Sequence, residues 1–249
     1  MRALEAAETL TVWEQAGAAP PAQRPTALLA AARAMGVFAG VPVDELVALP
    51  IGQRDALLLR LYAATFADRL DGVTHCPACG TAVELTASCA TMLAEQARAE
   101  SPAPVSADGY TVHWRPPAGE DLIAVAGAAN ATAGAALLLA RCVLDARNGT
   151  GPVPPADLPA PVRERVAEAM AAADPLAEVV FTVDCPQCSE RWESQLDVGA
   201  FVWTRLRGHA DRLLREVDLL ARAYGWPEAE ILELSAPRRA AYLRLVTDG

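Results

Sequence analysis

The chain has 249 residues, a formal net charge of −10 and a sequence pI near 4.8. This length is enough for one large or two small domains. An acidic surface repels a phosphate backbone, which counts against nucleic acid as the main partner. Hydrophobic residues make up 53% of the chain and aromatic residues only 5%, because much of the apolar content is alanine. Since alanine favours helix, the composition predicts a mainly α protein with a small β component.

The basic residues and the N-terminal segment bear on the source and the compartment. All 21 basic residues are arginine, which, with abundant alanine, glycine and proline, is typical of a GC-rich bacterial genome. Met1 to Glu8 carries charges where a secretory signal needs an apolar core. The uncharged stretch from Leu122 to Ala140 is nearly as long as a membrane span, but its small and polar centre predicts a junction between two helices. We therefore expect a cytoplasmic protein without a membrane span.

Three helices are predicted before the first cysteine pair, and they define an N-terminal helical region at residues 1–72. They run from Leu4 to Glu14, from Thr26 to Met35 and from Gln53 to Leu70. The third helix has apolar residues at helical spacing, namely Leu57, Leu58, Leu61, Tyr62, Thr65 and Phe66. It leads the chain directly to the first cysteine pair.

The most specific motif is a Cys-X-X-Cys pair that occurs twice, as Cys76 with Cys79 and as Cys185 with Cys188. Each pair begins with Cys-Pro and lies between two runs that are typical of strands. The spacing lets both sulfurs of a pair bind one ion, and two pairs supply the four thiolates of a closed tetrahedral Zn²⁺ site. The pattern predicts one structural zinc in a split, two-hairpin zinc ribbon of the four-cysteine type, at residues 73–88 and 177–197.

Other interpretations of the cysteines are weaker. A redox pair usually opens a helix in a βαβ unit, and a disulfide within Cys-X-X-Cys closes a small strained ring. Ser189 replaces the glycine that follows the first pair at Gly80, which weakens the second turn slightly. His75 adjoins a cysteine but is not needed as a ligand. Cys89 and Cys142 lie in Ala/Leu-rich runs and are predicted core residues.

The two pairs are separated by an inserted, mostly helical segment at residues 89–176. Its predicted elements are helices at Thr86–Glu100, Glu120–Ala128, Ala133–Ala146 and Val162–Ala173 and a strand at Gly109–Trp114. Doubling the length of a loop costs only about 0.6 kcal/mol, whereas structural zinc supplies on the order of 10 kcal/mol. The metal can therefore hold the first and last parts of the chain together.

The C-terminal region, residues 198–249, has the strongest helical periodicity. A long helix is predicted from Asp197 to Tyr224, ended by Gly225 and followed by two shorter helices that start near Pro227 and Ser235. Its apolar stripe consists of Phe201, Leu206, Leu213, Val217, Leu220 and Tyr224. The stripe is explained by core packing, although a helix this long could also present apolar surface to a partner.

No catalytic constellation emerges, so we expect a protein that is not an enzyme. The three histidines are far apart in sequence and lack a neighbouring nucleophile. A catalytic zinc needs an open coordination position, and four cysteines leave none. A zinc-ribbon nucleic-acid-binding or transcription-associated protein remains an alternative. The one basic cluster that could serve it, interleaved with acidic residues, consists of Arg205, Arg207, Arg212 and Arg215.

Several motifs occur in an order that resembles a known family. They are the segments 49–55 and 57–61, the first cysteine pair, the second pair with Arg191 and Trp192, the Tyr-Gly-Trp motif at 224–226, and the segments 230–232 and 238–243. The order resembles T4-type baseplate proteins, including hub assembly chaperones, of contractile phage tails and phage-tail-like injection systems. The resemblance covers most of the chain and is weakest from Ser88 to Ala173.

The resemblance implies a non-enzymatic structural or assembly factor that binds hub, wedge or spike subunits and can enter the finished particle. We expect the partner surface on the segment from Phe201 to Val246, together with the Gln53–Leu70 helix. Within this surface, Phe201, Trp226 and Tyr242 are the expected partner-binding residues. Trp226 and Tyr242 lie near helix ends and belong to the residue types that are enriched among interface anchors. The competing interpretation places both rings in the protein's own core.

Overall fold

The computed structural model describes residues 1–247. The helices are α1 (Ala6–Gly17), α2 (Arg24–Ala34), α3 (Ile51–Thr65), α4 (Cys89–Gln96), α5 (Gly119–Val125), α6 (Ala131–Cys142), α7 (Ala160–Ala173), α8 (Val198–Tyr224), α9 (Glu228–Glu233) and α10 (Ala236–Thr247). The strands are β1 (Arg69–His75), β2 (Ala82–Ser88), β3 (Val105–Ala107), β4 (Tyr110–Trp114), β5 (Val143–Asn148), β6 (Gly151–Pro152), β7 (Val179–Asp184) and β8 (Arg191–Leu196). The predicted mainly α architecture with a small β component is confirmed.

The largest core lies between α1, α2, α3, α4 and the first half of α8. Leu29, Leu58 and Leu59 are fully buried there, and Leu206 brings α8 into the same cluster. Burying a leucine side chain stabilises the fold by about 1.5–3 kcal/mol, so these contacts hold α8 firmly against the N-terminal helices. The second half of α8 packs against α9 and α10 through a smaller cluster around Leu220.

The long predicted helix is confirmed as α8, and its two ends follow the sequence signals. The carboxylate of Asp197 accepts a hydrogen bond from the backbone N–H of Ala200 at 2.8 Å, which caps the first turn. Gly225 ends the helix in the left-handed conformation, at φ 68°. This conformation is strained for most residues but accessible to glycine.

The first hairpin begins earlier than predicted. The helix expected from Gln53 to Leu70 ends at Thr65, and β1 starts at Arg69, paired with Ser88 of β2. Asp68 explains the break: its backbone carbonyl accepts the N–H of Cys89, and its carboxylate accepts the Ser88 hydroxyl at 2.7 Å. These bonds tie the residues after α3 to the far end of the hairpin, so the helix cannot continue. The second hairpin joins β7 to β8 from Val179 to Leu196, as the sequence predicts.

The segment between the hairpins contains a sheet that sequence analysis recognised in only one strand. Strands β3, β4, β5 and β6 form an antiparallel sheet in that order, and β4 confirms the predicted strand. The helix predicted to Ala146 ends at Cys142, and Val143 begins β5. Val143 and Ala146 are buried against α7 in a separate core, so pairing with β4 overrides the helix preference of this alanine-rich run.

Other predictions about this segment are confirmed. Cys89 and Cys142 are fully buried, as expected of core residues. The uncharged stretch from Leu122 to Ala140 forms most of α5, a turn and most of α6, which is the predicted helix junction. Within residues 1–247, none of the helices has both the length and the apolar character needed to cross a membrane.

Candidate metal site

The two cysteine pairs meet where the tips of the hairpins face each other. Cys76 and Cys79 lie in the turn between β1 and β2, and Cys185 and Cys188 lie in the turn between β7 and β8. All four sulfurs lie within 4.8 Å of one another. In the described part of the chain, this is the only group of three or more His, Cys, Asp or Glu side chains close enough to share a metal ion.

The backbone of the first turn, Cys76–Gly80, fixes the directions of its sulfurs. The N–H of Cys76 donates to the carbonyl of Thr81 at 2.9 Å, and the N–H of Gly80 donates back to the carbonyl of Cys76 at 2.9 Å. Gly80 has a φ of 74°, in the left-handed region. A chain that reverses this tightly needs such a residue, and glycine adopts it without strain.

The second turn, Cys185–Ser189, repeats this pattern with different residues. The N–H of Cys185 donates to the carbonyl of Glu190 at 2.8 Å, and the N–H of Ser189 donates to the carbonyl of Cys185 at 3.0 Å. Ser189 has a φ of 62° and therefore carries a side chain in the left-handed region. For an L-residue this conformation costs about 1–2 kcal/mol, so the second turn is the more strained of the two.

The spacing of the sulfurs fits a tetrahedral ion. Cys76 Sγ lies 3.6 Å from Cys188 Sγ, and Cys79 Sγ lies 3.6 Å from Cys185 Sγ. A zinc ion with bonds of about 2.3 Å to four sulfurs separates those sulfurs by about 3.8 Å. The first cysteine of each pair thus stands beside the second cysteine of the other pair, at nearly the spacing that a shared zinc requires.

Burial divides the four cysteines into two types. Cys76 and Cys185 are each only 3% exposed, while Cys79 and Cys188 face solvent. The hydroxyl and backbone of Thr81 lower the pKa of Cys79 to about 6. The backbone N–H of Glu190 lowers the pKa of Cys188, but the neighbouring cysteine sulfurs raise it more, to about 12. Four thiols this close together can all ionise only when a cation neutralises them.

Residues around the cysteines add contacts that sequence analysis missed. The side chain of Thr81 is hydrogen-bonded to Cys79 Sγ at 3.2 Å, and the hydroxyl of Ser194 donates to Thr74 Oγ1 at 3.1 Å between the hairpins. The position of Thr81, directly after the glycine of the turn, could have indicated its role. No sequence signal relates Thr74 to Ser194. His75 is exposed and stands outside the cysteine group.

The three predicted partner-binding residues lie in two different places. Phe201 is on the first turn of α8, half-buried, with its ring 5.4 Å from that of Tyr62. Trp226 and Tyr242 belong to an aromatic cluster with Tyr224 near the far end of α8, where their centroids are 4.9 Å apart. Both rings are partly buried within this cluster, and Tyr224 remains 38% exposed.

Comparison with known families gives one match. Residues 37–201 match the family described as "T4 bacteriophage base plate protein". This range is more than half of the chain and includes both cysteine pairs and the whole inserted segment. It ends in the first turn of α8, so the Tyr-Gly-Trp motif at 224–226 lies outside it. No curated protein and no solved structure gives a significant match.

Proposed function

The chain belongs to the T4 bacteriophage base plate protein family, and we propose that it is a non-enzymatic structural or assembly component whose two hairpins are joined by one structural zinc. Membership of this family supports a structural role in a phage-type baseplate. Its partners are then other baseplate proteins, and we assign it to the binding of hub, wedge or spike subunits. It is made in the bacterial cytoplasm and enters a tail or injection-system particle from there.

The observation that carries the proposal is the convergence of four cysteine sulfurs from two distant hairpins within 4.8 Å. Four thiolates close the coordination shell of zinc and leave no position for a substrate or a reactive water. The metal therefore acts as a structural cross-link in a four-cysteine zinc ribbon. It joins the chain just after α3 to the chain just before α8, which fixes the directions of these helices relative to each other.

The partner surface is assigned to α8, α9 and α10. Helix α3, also expected to take part, is buried along most of its length, because Leu58, Leu59 and Leu61 pack into the main core. It therefore offers little surface to another subunit. Phe201 in the first turn of α8 and the half-buried Trp226 and Tyr242 at the far end are the aromatic anchors of this proposed surface.

A pull-down of purified hub, wedge and spike subunits by the tagged full chain tests this assignment. We expect at least one of them to bind, and Trp226→Ala to weaken that binding while the melting temperature stays within a few degrees. The matched control is Trp114→Ala in the inserted sheet, whose ring is 6% exposed and packs in a separate core. It should lower stability without changing the affinity of the folded fraction. Failure of every subunit to bind would refute the proposed function.

One observation favours a second function, a zinc-ribbon nucleic-acid-binding protein. Arg205, Arg207, Arg212 and Arg215 are all exposed on α8, and none forms an ion pair with a carboxylate of residues 1–247. Arginines without a carboxylate partner could contact phosphates. An electrophoretic mobility assay with duplex and single-stranded DNA distinguishes the two functions. Salt-sensitive binding to DNA, lost when these arginines are replaced, would favour the second function.

A further inference from the structure

A large cleft lies between the two hairpins and α8, and the metal site stands at the tips of the same hairpins. Its volume is about 1050 Å³, and its walls run along β1 from Arg69 to Thr74 and along α8 from Ala200 to Arg212. Six residues of strand and thirteen of helix each span about 17 Å, given rises of about 3.3 Å and 1.5 Å per residue. The two walls therefore match in length, and the cleft fits an extended segment of about five residues.

The helical wall of the cleft carries two arginines that form no ion pair within residues 1–247. Arg205 donates to the backbone carbonyl of Asp71, and its guanidinium lies 5.2 Å from the centroid of the Phe201 ring. Arg212 contacts His209 Nδ1 at 3.2 Å. Neither arginine forms an ion pair within the described chain, although acidic residues outnumber basic ones by 31 to 21. Two guanidiniums are thus left for a negatively charged ligand.

Two of the three acidic residues that line the cleft already have polar partners within the protein. Asp71 pairs with Arg69 at 2.6 Å, and Asp197 caps the first turn of α8. Glu84 on β2 is the exception, since it has no side-chain partner among residues 1–247. It stands on a hairpin strand, whereas the two arginines stand on the helix. Charge is thus distributed unevenly in the cleft: two of its three arginines lie on α8, and two of its three carboxylates lie on hairpin strands.

Apolar surface makes up the rest of the walls. Phe181 of the second hairpin and Phe201 of α8 both line the cleft and are half-buried. Half-buried aromatic rings beside arginines are typical of surfaces that bind polypeptide segments. The guanidinium of Arg205 lies over the ring of Phe201, so a carboxylate held by Arg205 would stand beside that ring.

We propose that this cleft binds an extended acidic segment of another baseplate subunit, with carboxylates on Arg205 and Arg212 and apolar side chains against the two phenylalanines. This inference rests on the proposed function, since it names the kind of segment that the partner contributes. Residues of both hairpins line the cleft, and the hairpins are joined by the cysteines and by the bond between Ser194 and Thr74. Binding therefore depends on zinc, because zinc sets the separation of the hairpins.

Selection from a displayed library of random peptides on the zinc-loaded full chain tests the proposal. We expect the enriched peptides to carry net negative charge with interspersed apolar residues. For an enriched peptide, Arg212→Gln and Arg205→Gln should each weaken binding about tenfold, since each removes one charge-assisted contact. Glu84→Gln should strengthen binding, because it removes repulsion. Arg207→Gln is the matched control: this arginine is on the same helix but does not line the cleft, and its loss should change little.

The outcomes separate this proposal from the proposed function. Arg205→Gln also removes a hydrogen bond to β1 and could therefore lower stability. In that case Arg212→Gln is the deciding variant, because the one hydrogen bond of the Arg212 side chain within residues 1–247 is to His209. Enrichment of neutral or basic peptides, unchanged binding by Arg212→Gln, or displacement of the peptide by oligo-dT would overturn the cleft assignment. If Arg212→Gln still pulls down a baseplate subunit with wild-type affinity, the cleft proposal fails and the baseplate role stands.

Discussion

The two hairpins present their cysteines through the same backbone pattern but are attached to the protein in different ways. The first hairpin is held from the side: the hydroxyl of Tyr62 donates to the carbonyl of Arg69 at 3.1 Å, and Arg205 donates to the carbonyl of Asp71. Within residues 1–247 the second hairpin has no such hydrogen bond from a helix; its base packs on the main core through Val179 and Leu196. The comparison teaches that one local backbone pattern can present a cysteine pair twice while the surroundings of the two turns differ.

The turns themselves differ at two matching positions. The left-handed residue is Gly80 in the first turn and Ser189 in the second. The next residue is Thr81 in the first turn and Glu190 in the second. The side chain of Thr81 contacts a cysteine sulfur. The first turn is thus relaxed and supports a thiolate, whereas the second is strained and lacks this hydroxyl. Exchanging the residues at these two positions between the turns tests each difference separately.

The largest effect is expected from the loss of a buried ligand. Cys185→Ser removes one of four thiolates and should lower the free energy of unfolding by several kcal/mol, because zinc binding supplies on the order of 10 kcal/mol to the fold. Thermal unfolding and protease digestion measure the change, and cleavage should concentrate in the two hairpins while the helical core persists. Cys76→Ser should behave alike if the two hairpins contribute equally to one site.

Cys89→Ala is the matched control for this prediction. Cys89 is fully buried but stands outside the metal group, so its truncation should cost about 1–2 kcal/mol and leave the zinc content unchanged. Cys185→Ser protein that melts at the wild-type temperature would show that the metal does not hold the hairpins together.

A smaller effect is expected at the left-handed residues. Gly80→Ser should destabilise the zinc-loaded protein by about 1 kcal/mol, and Ser189→Gly should stabilise it by about the same amount, because a side chain is disfavoured at this φ. Urea unfolding of the two variants measures both. Effects of the same sign at the two positions would contradict the equivalence of the turns.

The smallest effect concerns the pH at which zinc is released. Thr81 lowers the pKa of Cys79 to about 6, so its thiolate resists protonation. In Thr81→Val the proton competes better with the metal, and zinc should be released at a pH higher by up to about one unit. Glu190→Thr, which gives the second turn a hydroxyl at the matching position, should shift release to lower pH. A chromogenic chelator monitors both titrations, and no shift in Thr81→Val would exclude a role for the hydroxyl.

The sequence predicted the parts of this molecule whose cause is local. The two Cys-X-X-Cys turns, the glycine that ends α8 and the apolar stripe of α8 each depend on residues close together in the chain. The structure contains all three. Strand β5 was missed because Val143 and Ala146 gain their stability from pairing with β4, a contact that an alanine-rich run does not reveal. The sequence identifies Arg205 only as part of a basic cluster, because its contact with Asp71 joins residues far apart in the chain.

The zinc content of the full chain, purified without chelator and measured by elemental analysis, tests the central claim most directly. The two hairpins bring four sulfurs within 4.8 Å of one another, which predicts one zinc per chain in the wild-type protein. We expect no zinc when Cys76, Cys79, Cys185 and Cys188 are all replaced by serine. Wild-type protein without stoichiometric metal, or a quadruple variant that retains its zinc, would contradict the account.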